Sequence, residues 1–154
     1  IPLAVTMASE PVFDAHWSDD RARMFFHSSS YTANPVACAA ANANIAIWQD
    51  EPVAERIATL AQRQSAQLTR LTSHPLVRNA RQAGTITAVD VGEADGYLSD
   101  LAPRLLAAFR ARNVLLRPLG NTVYVMPPYC IEEAQLDRVY ATIVEAIEEV
   151  AGPN

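Results

Sequence analysis

Apolar residues recur along the chain at two spacings, and each spacing predicts a different kind of element. Over residues 53–71 and again over residues 136–150 they fall three or four positions apart, which is typical of helices with one buried face. Residues 85–91 and 122–126 are short runs rich in β-branched side chains, which favour strands. The pattern from residue 50 onwards therefore predicts a small, mostly antiparallel sheet covered by helices, an α+β arrangement.

Local signals add shorter elements to this outline. Asn34 followed by Pro35 predicts the start of a helix that runs to Trp48, because asparagine caps helices and proline suits the first helical position. Ser99 is a second candidate cap, and Asn113 suits the left-handed residue that ends the same helix. The other predicted elements are a helix over residues 10–17 capped by Ser9, and strands over residues 3–8, 77–80 and 114–117.

The sequence pattern changes near residue 50, where Asp50, Glu51 and Pro52 interrupt the helical pattern. We expect residues 1–49 to be the remnant of one domain and residues 50–154 to form the next. The first residues already have the pattern of a strand, without an initiator methionine and without an earlier segment to pair with. From this start we expect either a fragment of a longer protein or a processed chain.

The composition argues against several classes of function. Half of the 154 residues are hydrophobic, 19% are charged, and the net charge is −5 with a pI of about 5.1. An acidic chain is not expected to bind nucleic acid, whose phosphates need clustered cations. There is no apolar run of about 18 residues and no recognisable signal peptide, so we expect no membrane insertion and a cytoplasmic location.

The cysteines and histidines suggest neither a disulfide nor a metal centre. Cys38 and Cys130 lie far apart in the sequence, and we expect two buried, reduced thiols. The histidines have no metal-ligand spacing. All 12 basic residues are arginine, so the chain contains no lysine.

One candidate site is the hydroxyl-rich loop Ser28-Ser29-Ser30, immediately before the helix predicted at Asn34. Backbone N–H groups near a helix N-terminus, together with the helix dipole, favour an anion such as phosphate. The same residues also suit a plain serine-rich loop ahead of a capped helix. The pattern alone leaves both interpretations open.

A second candidate is Arg117, which ends the predicted strand over residues 114–117. Because side chains alternate along a strand, Arg117 and Leu115 are expected on the same side. A guanidinium on a half-buried face needs an acidic partner, which is either a ligand's carboxylate or phosphate or an internal Asp or Glu. Tyr124, on the returning strand, could lie near Arg117, although a tyrosine in a strand also suits the core or a cross-strand pair.

Two long motifs resemble one known family. Residues 26–41, F-H-S-S-S-Y-T-A-N-P-V-A-C-A-A-A, are similar to a stretch of the class III pyridoxal-phosphate-dependent aminotransferases. Residues 115–129, L-L-R-P-L-G-N-T-V-Y-V-M-P-P-Y, are similar to the late hairpin of that family. The motifs occur in the family's order, and the resemblance covers nearly the whole chain. The Tyr-x-Met-Pro-Pro-Tyr ending looks most like the branch of the family that acts in biotin biosynthesis.

The resemblance implies an α/β fold-type I pyridoxal-phosphate transferase. Residues 1–49 would be the end of its large cofactor-binding domain, and residues 50–154 its small α+β C-terminal domain. It also implies a homodimer with a composite active site that acts on small molecules. The residues that it implies in binding pyridoxal 5'-phosphate are Ser30, Ser29 and Tyr31. The residues that it implies in binding the substrate are Arg117, which would hold a carboxylate, together with Tyr124 and Ser28.

In the family, the catalytic lysine would lie a few residues before Ile1. The resemblance therefore implies no catalytic residue within this chain and no activity without a missing N-terminal segment. The implied reaction is transfer of an amino group to 8-amino-7-oxononanoate, which gives 7,8-diaminononanoate, with S-adenosylmethionine as the amino donor. The alternatives are another class III enzyme that acts on an ω-amino acid or diamine, and a non-catalytic fragment that serves in dimerisation.

Overall fold

The computed structural model describes residues 3–26, 32–93 and 99–152, and the chain divides into two compact units, Ile1–Pro52 and Val53–Asn154. The first unit contains two helices and the second contains three helices and three strands among these residues. In chain order the elements are α1 (Glu10–His16), α2 (Pro35–Asp50), α3 (Val53–Leu71), β1 (Val77–Ala83), β2 (Ile86–Val91), α4 (Leu101–Ala111), β3 (Thr122–Val125) and α5 (Glu133–Ala151).

The first unit confirms both predicted helices and contradicts the predicted strand. Helix α2 begins where Asn34 caps it, and α1 begins after Ser9, whose side chain makes no capping hydrogen bond. Residues 3–8 are not part of any sheet in the described structure, and their large side chains Leu3 and Met7 are exposed. A strand forms only where another strand pairs with its backbone groups, and no described segment pairs with this one.

The second unit is built on a three-stranded sheet in the order β1-β2-β3, and the predicted antiparallel character of the sheet is confirmed. The first strand is longer than predicted and continues to Ala83, where it pairs with Ile86 at the start of β2. Gly84 makes this tight connection with a φ of +56°, a conformation that glycine adopts without the steric strain of a side chain.

The core of the second unit lies between one face of the sheet and the helices. Alternate residues of β2 and β3 point into it, while α3 packs on β1, β2 and α5, and α4 packs on α5. The predicted apolar stripe of α5 is buried over most of its length, which stabilises the fold by about 1.5–3 kcal/mol for each large aliphatic side chain. The largest fully buried apolar side chains are Phe109, Leu105, Leu136, Ile143 and Ile147.

The segment between α4 and β3 departs from the prediction. Asn113 does end α4 in the left-handed region, with a φ of +57°. Residues 114–117, however, form no ladder with the sheet, and the two arms of this hairpin meet at an isolated bridge between Leu119 and Thr122. Burial of alternate side chains fixes this arm instead, and Pro118 within it has no N–H to donate to a ladder.

A buried polar network joins α3, α5 and the sheet. The Tyr140 hydroxyl donates to Oε1 of Gln64 at 2.5 Å and accepts from the Thr87 hydroxyl at 2.6 Å, and Nε2 of Gln64 donates to the Thr85 carbonyl at 2.8 Å. Burial raises the pKa of Tyr140 although its bond with Thr87 opposes the shift, so the phenol stays a donor at neutral pH. The amphipathic pattern of α3 did not predict that Gln64 is fully buried.

We expect Tyr140→Phe to lower the free energy of unfolding by about 1–3 kcal/mol, because it leaves Oε1 of Gln64 buried without a donor. Urea titration of the wild type and the variant measures the difference. Tyr129→Phe is the matched control, since Tyr129 is 55% exposed and should tolerate the same change. Equal stability of the two variants would contradict a role for the network.

The opposite, outer face of the sheet carries a cluster of polar side chains around Asp90 on β2. Its carboxylate accepts hydrogen bonds from Asn79 (3.0 Å) and Arg81 (3.1 Å) on β1 and from Thr122 (2.8 Å) on β3. A register shift of β1 between Arg78 and Arg81 includes Asn79, which has a φ of +49°. One carboxylate therefore links all three strands.

Because of this cluster, the free energy of unfolding is expected to depend on pH in the acidic range. Partial burial alone would raise the pKa of Asp90, but the bonds from Thr122, Asn79 and Arg81 outweigh it and hold the pKa below the ordinary value of 3.8. Because the folded state binds the proton less readily than the unfolded state, the stabilisation is present above that value and is lost as the pH falls below it.

We therefore expect the stability difference between the wild type and Asp90→Asn to shrink as the pH is lowered from about 6 to about 3. Urea titrations at both pH values measure it, with Asp137→Asn as a surface control whose carboxylate accepts from Gln67. A difference that stayed constant across this range would show that the charge of Asp90 contributes nothing.

Candidate functional site

Arg117 lies on the outer side of the segment that leads into the hairpin. Its neighbours Leu116 and Pro118 are buried, so the alternation of an extended chain turns the guanidinium to solvent, as it does Leu115, which is 82% exposed. The side chain is exposed, not half-buried as the sequence suggested. A cation in this position remains hydrated and accessible.

The described residues include no carboxylate that forms an ion pair with Arg117. Within the described ranges Arg117 makes no hydrogen bond and no ion pair. Arg112, five residues earlier, shows the contrast, because its guanidinium contacts Glu145 at 2.9 Å and Glu149 at 2.8 Å and so joins the end of α4 to α5. Arg117 is therefore available for an external anion.

Tyr124 lies on β3 and projects from the outer face of the sheet. It pairs with Ala88 of β2, while Val123 and Val125 on either side of it fill the core. The ring is half-buried, and its hydroxyl has no hydrogen-bond partner among the described residues. Tyr124 is thus a cross-strand neighbour of Ala88, not a core residue, and its hydroxyl is free to contact a ligand.

The hairpin brings these side chains to one side. Leu119 and Thr122 exchange both backbone hydrogen bonds, at 2.9 and 3.0 Å, and therefore face the same way. Arg117 is two residues before Leu119 and Tyr124 two residues after Thr122, so alternation places all four on the outer side. The sequence analysis placed Arg117 and Tyr124 on one hairpin where they could lie near each other, although it assumed a regular strand for the first arm.

The start of α2 does not offer the anion site that the helix signal suggested. Oδ1 of Asn34 accepts from the N–H groups of Val36 (3.0 Å) and Ala37 (3.1 Å), and the Asn34 carbonyl accepts from Cys38 (3.0 Å). Pro35 has no N–H to offer. Every donor of the first turn is thus already paired, and an anion would have to be held by the preceding loop. Its residues Ser28, Ser29, Ser30 and Tyr31, with His27, lie outside the described residues.

The described residues include no group of three or more His, Cys, Asp or Glu side chains that could hold a metal ion. Nor does any helix in these ranges have the length and apolar character needed to cross a membrane. Cys38 and Cys130 are both exposed and are not joined, which corrects the expectation that the thiols are buried.

The first unit presents a large apolar surface that the sequence patterns did not predict. Ala37 is the one apolar residue buried within its described part. A cavity of about 720 Å³ lies beside α1, where the rings of Phe13 and Trp17 stack at 5.3 Å. The other large apolar side chains exposed in this unit are Leu3, Val5, Met7, Val12, Met24, Phe25, Phe26, Val36, Ile45, Ile47 and Trp48.

Comparison with known proteins places this chain in context. Residues 1–147 match the family model described as aminotransferase class-III. The chain is 38% identical over 151 residues to the adenosylmethionine-8-amino-7-oxononanoate aminotransferase of Synechococcus elongatus, a match that covers 97% of this chain and 35% of that protein. The chain thus spans about a third of the length of this relative.

Solved structures agree with the sequence comparison. The adenosylmethionine-8-amino-7-oxononanoate aminotransferase of Methanocaldococcus jannaschii superposes with a TM-score of 0.76 at 25% identity, over 83% of this chain and 31% of that one. A PLP-bound aminotransferase mutant from Vibrio fluvialis gives a TM-score of 0.75 at 26% identity, over 84% of this chain and 30% of that one.

Both findings bear on the sequence-based expectations. The expected fold class, part of an α/β fold-type I pyridoxal-phosphate transferase, is confirmed by these structural neighbours. The resemblance drawn from residues 26–41 and 115–129 is confirmed by a match that includes both motifs. Because the family model matches residues 1–147, which include both motifs, the chain belongs to the class III aminotransferase family.

Proposed function

We propose that this chain is part of an enzyme that transaminates 8-amino-7-oxononanoate to 7,8-diaminononanoate in biotin biosynthesis, with S-adenosylmethionine as the amino donor. The names of its similar relatives support this substrate. The observation that carries the proposal is the exposed guanidinium of Arg117, which has no hydrogen bond or ion pair with any described residue, between the buried Leu116 and Pro118. Because the chain spans about a third of the length of the Synechococcus elongatus relative, the activity is proposed for the full-length enzyme.

Arg117 would bind the carboxylate of the substrate, which lies at the far end of the molecule from the reacting carbon. The planar guanidinium can donate two parallel hydrogen bonds to a carboxylate, which fixes the direction of the acid as well as its position. Tyr124, half-buried beside Ala88, would form a wall of the same pocket. Holding both ends of a long substrate reduces the freedom that must be lost before reaction.

The cofactor of the proposed enzyme is pyridoxal 5'-phosphate, which, when bound, supplies the electron sink for transfer of an amino group. The paired first turn of α2 leaves no backbone donor for its phosphate. As the family resemblance implies, the Ser30 hydroxyl would contact the phosphate, with Ser29 and Tyr31 beside it. The chain has no lysine, so the residue that attaches the cofactor must come from another part of the enzyme.

The partners that we propose are the rest of the same enzyme and a second copy of it. In this view residues 1–49 are the end of a large cofactor-binding domain, and the remaining residues are the small domain. The many large apolar side chains that the first unit exposes support this, because removing them from water against another part of the enzyme would be favourable. A homodimer would let the Ser30 loop serve the cofactor of the neighbouring subunit.

The full-length enzyme tests the proposal directly. We expect it to bind pyridoxal 5'-phosphate, to show the visible absorbance of the protein-bound cofactor, and to convert 8-amino-7-oxononanoate when S-adenosylmethionine is supplied. Product formation followed by mass spectrometry, with other amino donors as controls, measures this. Turnover of β-alanine or 4-aminobutyrate without any turnover of the oxononanoate would favour a different class III activity. Failure to bind the cofactor would favour a non-catalytic role.

We expect Arg117→Met to lower kcat/KM for the carboxylate substrate by about a hundredfold, mostly through KM, because two charge-assisted hydrogen bonds are lost. The methyl ester of the same substrate should be little affected. Arg110→Met is the matched control, since Arg110 is an exposed arginine of α4. An equal loss with acid and ester would show that Arg117 does not bind the carboxylate.

A further inference from the structure

Asp90 is a shared acceptor on the outer face of the sheet, the face from which Tyr124 projects. Its Oδ1 accepts from the Thr122 hydroxyl at 2.8 Å and from Arg81 at 3.1 Å, and its Oδ2 accepts from Asn79 at 3.0 Å. Charge-assisted bonds of this kind are stronger than those between neutral groups. The Asp90 side chain is 20% exposed, so water competes with these partners only in part.

Thr122 connects this cluster to the hairpin. It is the first residue of β3, it pairs with Asp90 across the sheet, and its backbone closes the turn with Leu119. The turn is also held by Val91, whose N–H donates to the carbonyl of Asn121 at 2.8 Å. Arg117 precedes Leu119 by two residues. Pro118 lies between them, and its ring fixes the backbone torsion φ. The connection from Asp90 to Arg117 is thus short and stiff.

The arm that carries Arg117 has few other restraints. Residues 114–117 form no ladder in the described structure. At the start of the arm Val114 is buried and its N–H donates to the Phe109 carbonyl at 3.0 Å, and near Arg117 the bridge at Leu119 and the buried Leu116 and Pro118 hold the arm in place. Bidentate binding of a carboxylate tolerates only small displacements of the guanidinium. A displacement of the turn by about one ångström would therefore weaken substrate binding without unfolding the sheet.

The charge of Asp90 is also balanced locally. Arg81 forms an ion pair with it at 3.1 Å, so the carboxylate neither repels an incoming acid strongly nor draws Arg117 away. Arg81 is itself held by its second bond, from Nη1 to the Asn79 carbonyl at 2.8 Å. The cluster is thus organised to fix geometry and not to bind an anion itself.

We propose that Asp90 and Thr122 are positioning residues, which hold the hairpin so that Arg117 grips the carboxylate of the substrate. This inference rests on the proposed function of Arg117. Neither residue touches the substrate; they act through the backbone of Leu119 and Pro118. The amino-acid sequence gives no indication of this positioning role, because Asn79, Asp90 and Thr122 come together only through the pairing of β1, β2 and β3.

The test uses steady-state kinetics of the full-length enzyme with 8-amino-7-oxononanoate and with its methyl ester. Thr122→Val removes one hydroxyl at constant shape, and Asp90→Asn removes the charge. We expect each to raise KM for the acid about fivefold to twentyfold, with kcat within about twofold, and to leave KM for the ester unchanged. Thr122→Ser, which keeps the hydroxyl, should restore the wild-type KM. In an Arg117→Met background, Thr122→Val should add nothing.

Thr72→Val and Asp137→Asn are the matched controls, because they remove a hydroxyl just after α3 and a carboxylate on α5, both at exposed positions. Melting temperatures of all variants show whether a loss follows from unfolding. If Arg117→Met raises KM for the acid but Thr122→Val and Asp90→Asn do not, or if acid and ester change alike, the positioning role is wrong while the proposed function stands. If the wild type itself does not distinguish acid from ester, both proposals fall.

Discussion

The second unit depends on the alternation of side chains along its extended segments. Leu116 and Pro118 on one arm of the hairpin and Val123 and Val125 on the other are buried in the core. Because these side chains are buried, Arg117, Leu119, Thr122 and Tyr124, which alternate with them, point outwards. The free energy gained on the inner face therefore fixes the chemistry of the outer face. A slip of one residue would exchange the two faces, which burial of four apolar side chains strongly disfavours.

The two faces of the sheet are organised by different interactions. On the inner side, the paired hydroxyl of Tyr140 and amide of Gln64 join helices and strand within the core, where an unpaired polar group would be costly. On the outer side, Asp90 gathers donors from both neighbouring strands in partial contact with water. The first network specifies how the helices pack on the sheet, and the second specifies how the strands align at the edge where Arg117 lies.

The first unit has the opposite character. Its helices form with good local signals, and Asn34 satisfies the donors at the start of α2, yet almost none of its apolar side chains is buried. Local hydrogen bonding explains why these helices exist, but it supplies little of the burial that stabilises a domain. Among the described residues, the first unit thus exposes its large apolar side chains, whereas the second unit buries its own in a core.

Much of this structure is encoded in local sequence. The spacing of apolar residues placed α3 and α5, Asn34 with Pro35 placed the start of α2, and Asn113 placed the end of α4, since each depends on residues within a few positions of one another. Two motifs of this length also sufficed to identify the family and the candidate residue Arg117.

Tertiary structure decided what depends on a distant partner. Residues 3–8 and 114–117 look like strands but form no ladder, Gln64 is buried because Tyr140 reaches it, and Asp90 finds its donors only when three strands align. A strand, a buried polar bond and a shared carboxylate all need a second segment, and local sequence does not specify which segment that will be.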